Sequence, residues 1–542
     1  MPLGRSDGEE RTVQVLELLV VLGATILVGG WIGEKTRVAT PIVLLLLGGA
    51  LGFVPGLGGV QLPPEIVLLL FLPALLYWES LNTSLREIRA NLRSITLLAT
   101  VLVFATAAVV AVVGHAFGMP WAVAIALGAI LAPTDATAVT AVAHDLPRRT
   151  MTILHTESLV NDGTALTLFA VAVAAATSGT DVTFGPAALQ FVASYGVGIA
   201  IGLAVGLAVV FLRRFLHDER LESVFSVLTP FLAYLPAEAL GVSGVVAVVT
   251  CGLVLSQGGP KVISARGRIQ GFGFWEVAVQ LLNGSLFVLL GLEFHRVVTD
   301  LAGGRLGPAA LLAALLVVAV VLTRIFWVNV APVVIRLLDR RPAQRARRIH
   351  WRQRTPIAWA GFRGAVSLAA ALSLPAETAN GDPFPMRDLI IASTFAVILV
   401  TLIVQGSTLP AVIRFADLPP DPTEADEFVL AERSALETAL DELDEVARGL
   451  ETSEKAKEVV RASYRERLER LDRDEENSEA DDDAEEEQVD QEERLRLALL
   501  GVKRETVVKL RDERRIDDTV LRRYQARLDV EELRLAEVED DD

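Results

Sequence analysis

An all-helical protein that crosses a membrane many times and ends in an acidic helical segment is the fold that three features of the 542-residue chain predict. Hydrophobic residues make up 52% of it and charged residues 22%, with a mean hydropathy of +0.45, which excludes a disordered polymer and an ordinary water-soluble globule. Apolar runs of the roughly 20 residues needed to cross a hydrocarbon core of roughly 30 Å recur thirteen times before residue 415. The charge is unevenly divided: residues 416–542 hold 43 Asp and Glu against 21 Lys and Arg, a net of −22, which leaves +5 on residues 1–415. The formal −17 of the whole chain therefore describes its end.

In order, the spans are predicted over residues 13–31, 39–56, 63–82, 94–117, 119–143, 153–178, 185–212, 221–239, 242–257, 272–294, 307–335, 355–376 and 388–414. The start, MPLGRSDGEERTVQ, is too acidic for the charged region of a signal peptide, so the first apolar run reads as a span. Every second loop is basic, beginning with Lys35 and Arg37, then Arg86/Arg89/Arg93, Arg148/Arg149, Arg213/Arg214/Arg220, Lys261/Arg266/Arg268 and the arginine cluster from Arg336 to Arg354. The intervening loops hold little beyond Arg296, Arg305 and Arg387. Basic loops stay in the cytoplasm, so the N-terminus is predicted outside and the acidic tail in the cytoplasm of a multi-pass cytoplasmic-membrane protein.

After Pro419-Pro420 the tail shows helical spacing over about 424–470 and 491–538, flanking the acidic segment Asp472–Glu493. Leu430, Leu436, Leu440, Leu443 and Val446 give its first stretch one apolar stripe, which needs a partner such as a helical hairpin or a coiled coil. Net negative charge repels nucleic acid, which is excluded as a partner. The lone Cys251 supports neither a disulfide framework nor a cysteine metal site. No phosphate-cradling loop, nucleophile elbow or His-rich metal motif is present in the sequence, so an enzyme is not expected and no cofactor is implied.

Ionisable residues inside the spans carry the chemistry, because charge at membrane depth costs a few kcal/mol or more and is functional or paired by default. They are Glu79, Asp135, Glu157, Asp162, Glu276, Arg324 and Arg363, with Glu17, Glu238 and Glu293 near span ends. Span five, AIALGAILAPTDATAVTAV, is interrupted at Pro133-Thr134-Asp135. Proline removes a backbone donor and clashes with the preceding turn, so carbonyls near Ala129 and Ile130 are expected to lose their helical partners. Free carbonyls at this depth are tolerated only where they line a cavity. Beside the Thr134 hydroxyl and the Asp135 carboxylate they suit a hard monovalent cation.

Span six contains HTESLVNDGTALTLFA. Ser158 and Asp162 share a helix face, as do Glu157 and Asn161, whereas Glu157 and Asp162 point about 140° apart. One carboxylate can face the break in span five while the other needs a counter-ion. Arg324, the one cation in the apolar run of span eleven, is the natural partner for Glu157. Asp162 is then stabilised by whichever ligand neutralises it in a dry setting, a proton or a cation, so loading one releases the other. Glu79, near the cytoplasmic end of span three, is either a further ligand or an interfacial residue with its head in water. In span twelve, WAGFRGAVSLAAALSLP, Gly361, Arg363 and Gly364 predict a second interrupted helix, with Arg363 either repelling stray cations or neutralising half-helix C-termini, and not a ligand.

The PTDA of span five, the ESLVNDGTAL of span six, the FWE and LLGLE of span ten, the arginine of span eleven and the GFRGAVSLA of span twelve together resemble the monovalent cation:proton antiporters, in particular the NhaP-type sodium/proton antiporters. The resemblance covers residues 12–415 and implies thirteen helices with inverted repeats. It implies a core of spans four to six and eleven to thirteen carrying two crossed, interrupted helices, and a dimerisation domain of spans one to three and seven to ten. It implies that Asp162 carries cation and proton, that Thr134, Ser158, Asp135 and Glu79 surround the Na+, that Asn161 stands where electrogenic relatives have a second aspartate, and that Glu157 pairs with Arg324. Pro133, Arg363 and Gly364 would support the interrupted helices. A homodimer performing electroneutral exchange of Na+ or Li+ for H+ by alternating access follows; the resemblance stops near residue 415, and for residues 416–542 a cytosolic regulatory tail is one reading beside a solvated hairpin or coiled coil. K+/H+ exchange on the same scaffold is the nearest alternative, and a sensor or regulated channel with the tail as its output is a more distant one.

Overall fold

The computed structural model describes residues 7–36, 38–54, 67–83, 85–140, 146–178, 184–216, 218–259, 262–263, 265–301, 306–338, 350–418, 423–450 and 452–477, together with 528 and 530. The chain forms two compact units, Met1–Asp421 and Pro422–Asp542. Among the described residues the structure is helical throughout, with one isolated bridge between Glu377 and Pro383.

The first unit begins with α1 (Asp7–Thr36) and α2 (Thr40–Leu51), followed by a π turn, Val67–Phe71, that runs into α3 (Leu72–Leu81). Pro73 stands just beyond this turn, and a proline that offers no N–H to the preceding carbonyls favours such a local widening. Next, α4 (Leu85–Thr96) passes through a second π turn, Leu97–Val101, into α5 (Leu102–Ala116). A broken span follows, made of α6 (Trp121–Leu131) and α7 (Ala136–Thr140). The long helices α8 (Arg148–Ser178), α9 (Phe184–Arg213), α10 (Glu219–Ala239), α11 (Gly244–Gly258), α12 (Ala265–Leu301) and α13 (Leu306–Leu338) lead to a second broken span, α14 (Thr355–Trp359) and α15 (Ala365–Leu372). The unit closes with α16 (Arg387–Val400), a third π turn, Thr401–Gln405, and α17 (Gly406–Ala416).

Within the described residues, the stretches read from the sequence overlap helices. Among the described residues eight helical segments are long and apolar enough to cross a membrane, and Thr40–Leu51, Leu69–Leu81 and Gly244–Gly258 are shorter apolar helices. The span read as 272–294 belongs to a helix of 37 residues, about 55 Å long at 1.5 Å per residue. It is longer than its apolar run because polar ends carry it past the hydrocarbon core. Local signals set several ends. Asp218 caps α10 by accepting from Arg220 N at 2.8 Å, and Ser243 caps α11 by accepting from Val246 N at 3.3 Å.

Large apolar side chains such as Leu27, Leu189 and Ile269 point outward, whereas the interior joins helices through small residues. A Cβ at Gly128 would run into the Ala107 backbone, and one at Gly48 into Val288, so α6 lies close on α5 and α2 close on α12. Close approach through small residues is how helices associate where water supplies no hydrophobic drive.

In the second unit, α18 (Thr423–Gly449) and α19 (Glu454–Asn477) form a helical hairpin. The sequence reading ran one helical stretch through 424–470. The structure instead turns after Gly449, and Ser453 restarts the chain by accepting from Ala456 N at 3.3 Å. Ion pairs join the two helices, Arg467 to Glu432 at 2.7 Å and Arg461 to Asp444 at 2.8 Å. A hydrogen bond from Lys457, with Arg461 also close, holds the Asp444 carboxyl below the usual carboxylate range. Leu436, Leu440 and Leu443 are half-buried as the stripe requires, but Leu430 and Val446 are exposed and Ala447 is buried in place of Val446. The stretch 491–538 lies outside the described residues, apart from 528 and 530.

Candidate functional site

The two interrupted helices meet at their breaks. After Leu131 the chain is non-helical through Pro133-Thr134-Asp135 before α7 begins, and after Trp359 it is non-helical through residues 360–364 before α15 begins, turning tightly at Ala360, where Gly361 N donates to Trp359 O at 2.7 Å. Asp135 N donates to Phe362 O at 2.8 Å, one backbone bond across the crossing. Gly364 lies so close to the Asp135 side chain that a Cβ there would overlap the carboxylate, which explains why the crossing needs glycine.

Arginines meet the carbonyl ends of the half-helices. Arg363 Nε donates to Leu131 O at 3.0 Å and its Nη1 donates to Gly361 O, while Arg324 Nε donates to Ile357 O at 3.0 Å. The freed carbonyl taken up is that of Leu131, just beyond the Ala129–Ile130 pair expected from the sequence, because Arg363 approaches from the second break. At the amino end of α7, Asp135 Oδ1 accepts from Thr137 N at 2.9 Å, Thr137 Oγ1 at 2.6 Å and Ala138 N at 3.3 Å. One Asp135 oxygen is therefore committed to an N-cap.

On α8 the two carboxylates part as their spacing requires. Glu157 and Arg324, each 1% exposed, form a bidentate ion pair, with Nη2 donating to Oε2 at 3.0 Å and Nη1 to Oε1. Thr134 Oγ1 donates to Glu157 Oε1 at 3.4 Å and accepts from Asn161 Nδ2 at 2.8 Å. Ser158 Oγ donates to Thr134 O at 2.9 Å and accepts from Ala136 N at 3.3 Å. Each hydroxyl thus has its proton and one lone pair in use, which leaves one lone pair to offer a cation.

A cavity of about 50 Å³ opens beside these groups, room for a few waters or an ion. Asp162 and Ser158 face it from α8, Glu79 from α3, and Pro133, Thr134 and Asp135 from the first break, with Gly364 from the second. Neither the Asp162 nor the Glu79 carboxylate has a protein hydrogen-bond partner among the described residues. Asn161 stands behind the wall, and its buried Oδ1 has no partner. Around the crossing, outside the Glu157–Arg324 pair, one guanidinium, Arg363, stands against the carboxylates of Asp135, Asp162 and Glu79. Such an excess of acid in a dry setting calls for protons or cations.

Three polar residues at the cavity escaped the sequence reading: Thr137, Asn283 of α12 and Ser367 of α15. The signal for Asn283 was present, since it interrupts the apolar run VAVQLLNGSLFVLL. Among the described residues no group of three His, Cys, Asp or Glu side chains could hold a resident metal ion.

Comparison with known proteins places this geometry among relatives. Residues 23–415 match the family of transmembrane sodium/hydrogen exchangers. An uncharacterized Na(+)/H(+) exchanger of Mycobacterium tuberculosis is 46% identical over 99% of both chains. The Na(+)/H(+) antiporter ApNhaP of Aphanothece halophytica is 31% identical, over 82% of this chain and 84% of that one. A sodium, potassium, lithium and rubidium/H(+) antiporter of Bacillus subtilis is 31% identical, over 84% of this chain and 69% of that one. In fold, the sodium proton antiporter MjNhaP1 of Methanocaldococcus jannaschii superposes with a TM-score of 0.59 at 19% identity, covering 75% of this chain and all of that one.

Proposed function

The chain belongs to the sodium/hydrogen exchanger family, as an NhaP-type monovalent cation:proton antiporter that spans the membrane many times and needs no cofactor, and on that premise we propose that Na+ or Li+ and H+ take turns on the Asp162 carboxylate. The observation that carries this reading is the cavity in which the Asp162 carboxylate stands without a hydrogen-bond partner, opposite the broken helix. Thr134 and Ser158 contribute neutral oxygens to the ion, Glu79 a second carboxylate, and Asp135 an oxygen not used in its cap. Asn161 acts through Thr134. Asn161 beside Asp162 leaves one titratable group at that pair, which supports electroneutral exchange of one ion for one proton. The Glu157–Arg324 pair and the contacts of Arg363 hold the crossing together while spans four to six and eleven to thirteen move against the rest, alternately exposing the cavity to the two sides.

The alternation of basic loops supports an external N-terminus and a cytoplasmic tail. Spans one to three and seven to ten form the fixed, dimerising part, and residues 416–542 modulate transport. K+ in place of Na+ is the second reading, which the range of ions in the name of the Bacillus subtilis relative supports.

Purified protein in proteoliposomes tests the reading through cation-driven pH changes, with Na+, Li+ and K+ compared at several pH values and under a clamped membrane potential. Na+ and Li+ are expected to drive proton movement at rates independent of the potential, and a chain truncated at Pro419 to retain exchange with a shifted pH profile. A dominant K+ response would favour the second reading, and potential-dependent rates would end the electroneutral one. Complete loss of exchange in a folded truncated chain would make the tail essential rather than modulatory.

A further inference from the structure

The last span of the first unit, α16 through α17, leaves one stripe of its surface uncovered. Between Asp388 and Arg414 this span carries no charged residue. Val400, Val404, Ala411 and Phe415 follow at steps of four, seven and four, which keep to one face of a helix. All four are exposed, the three larger ones at 38%, 48% and 47%. Ser407 and Thr408, also exposed, fill the interval with small side chains. An uncharged stripe on the outside of an apolar span stands against acyl chains rather than water. The stripe ends in charge: Arg414 is exposed and lies about 60° around the helix from Ala411.

The turn that enters the second broken span packs on this end. Trp351 and Phe415 lie with ring centroids 6.2 Å apart, and the Arg352 guanidinium stands 4.7 Å over the Phe415 ring. Trp351 is nevertheless 56% exposed, and Arg352 is exposed as well. Among the described residues neither Arg352 nor Arg414 meets a carboxylate; Asp417, which ends α17 with a φ of 50°, pairs with neither. Trp359 Nε1 donates to Thr408 Oγ1 at 2.9 Å, so α14 and α17 stay in contact along the stripe. The same turn closes a stretch, residues 336–354, with eight arginines against one aspartate, the loop signature of the cytoplasmic side.

We propose that this end of α17 is a site for an anionic phospholipid of the cytoplasmic leaflet, whose phosphate is held by Arg352 and Arg414 while an acyl chain follows Ala411, Val404 and Val400. Guanidinium groups match phosphate oxygens with paired N–H donors and are more weakly hydrated than ammonium groups. Trp351 is of the residue type that settles at headgroup depth, and arginine clusters directly beside a span draw anionic lipid. A free phosphate would satisfy the arginines and leave the stripe unused. The uncharged stripe that runs from the two guanidinium groups into the span therefore favours the lipid. The inference does not depend on which ion the cavity takes.

Native mass spectrometry of the full-length protein in a non-ionic detergent tests the site, with phosphatidylglycerol, phosphatidylcholine or glycerol 3-phosphate added and the tightest-bound molecule followed. Phosphatidylglycerol is expected to bind and phosphatidylcholine to bind at least about tenfold more weakly. Arg352→Gln and Arg414→Gln are each expected to weaken phosphatidylglycerol by about fivefold, and together by about thirtyfold. Arg214→Gln with Arg220→Gln removes the same charge from exposed positions of another basic loop and is expected to bind as the parent does. Equal weakening in the two pairs would reduce the effect to general charge attraction and overturn the site. So would an unchanged affinity in the Arg352 and Arg414 pair, and so would glycerol 3-phosphate displacing the lipid at equal concentration, which would mark a site for a soluble anion. The single variants decide the outcome if the double variant does not fold.

Discussion

Asp162→Asn is expected to abolish cation-driven proton movement, lowering exchange by at least about a hundredfold to the leak of empty vesicles, while the protein purifies and melts as the parent does. A carboxamide has nearly the shape of the carboxylate but takes no proton near neutral pH and carries no charge to hold a cation, so both halves of the cycle fail together. The fold is spared because the Asp162 carboxylate makes no hydrogen bond to any described residue, and replacing an unpaired charge relieves the crowding of carboxylates around the cavity. Asp135→Asn is a useful contrast, since Asn also serves as an N-cap and the three donors that meet Asp135 Oδ1 can still be accepted. The check is a dye assay of proton movement with Na+ pulses, run beside thermal melts. Exchange retained by the Asp162 variant would count decisively against the site.

Glu157→Gln should cost folding rather than chemistry. Its carboxylate and Arg324 are both 1% exposed, so removing one charge strands a guanidinium in a dry interior, at a cost of about 3–5 kcal/mol. Arg324 would keep its bond to Ile357 O, but a carbonyl does not replace an anion. Replacing both charges, as Glu157→Gln with Arg324→Met, is expected to cost markedly less than the two single changes added together, because no charge is then left unpaired. Unfolding in detergent, followed by melting temperature for the four chains of the cycle, measures the coupling. An additive double variant would end the claim that the pair holds the crossing together.

Much of this was legible because membrane burial makes a sequence explicit. Lipid admits few charges, so Glu157, Asp162 and Arg324 stand out against their apolar surroundings, and Pro133 beside the polar Thr134 and Asp135 marks a break. The 140° between Glu157 and Asp162 follows from helix geometry alone, and their separate fates, one in an ion pair and one at the cavity, follow from it. What stayed hidden depends on how helices are rotated about their axes. Asn283 reaches the cavity only because α12 is held at one azimuth by close contacts, in which a Cβ at Gly291 would meet Leu45 and Gly49 of α2. No pattern along span ten announces that orientation. Likewise the commitment of Asp135 Oδ1 to capping α7, and of Ser158 to the Thr134 carbonyl, are local bonds that spacing does not separate from ion ligation. In the tail, Gly449 was a turn signal inside an otherwise periodic helical stretch, and ion pairs join the two helices of the hairpin.

The most direct measurement is calorimetric titration of the purified protein with Na+ across pH, in buffers of different ionisation enthalpy. If ion and proton share Asp162, apparent Na+ affinity falls by about tenfold per pH unit on the acidic limb, and each Na+ bound releases about one proton to the buffer. Na+ binding whose affinity does not change with pH and that releases no proton would contradict a shared site.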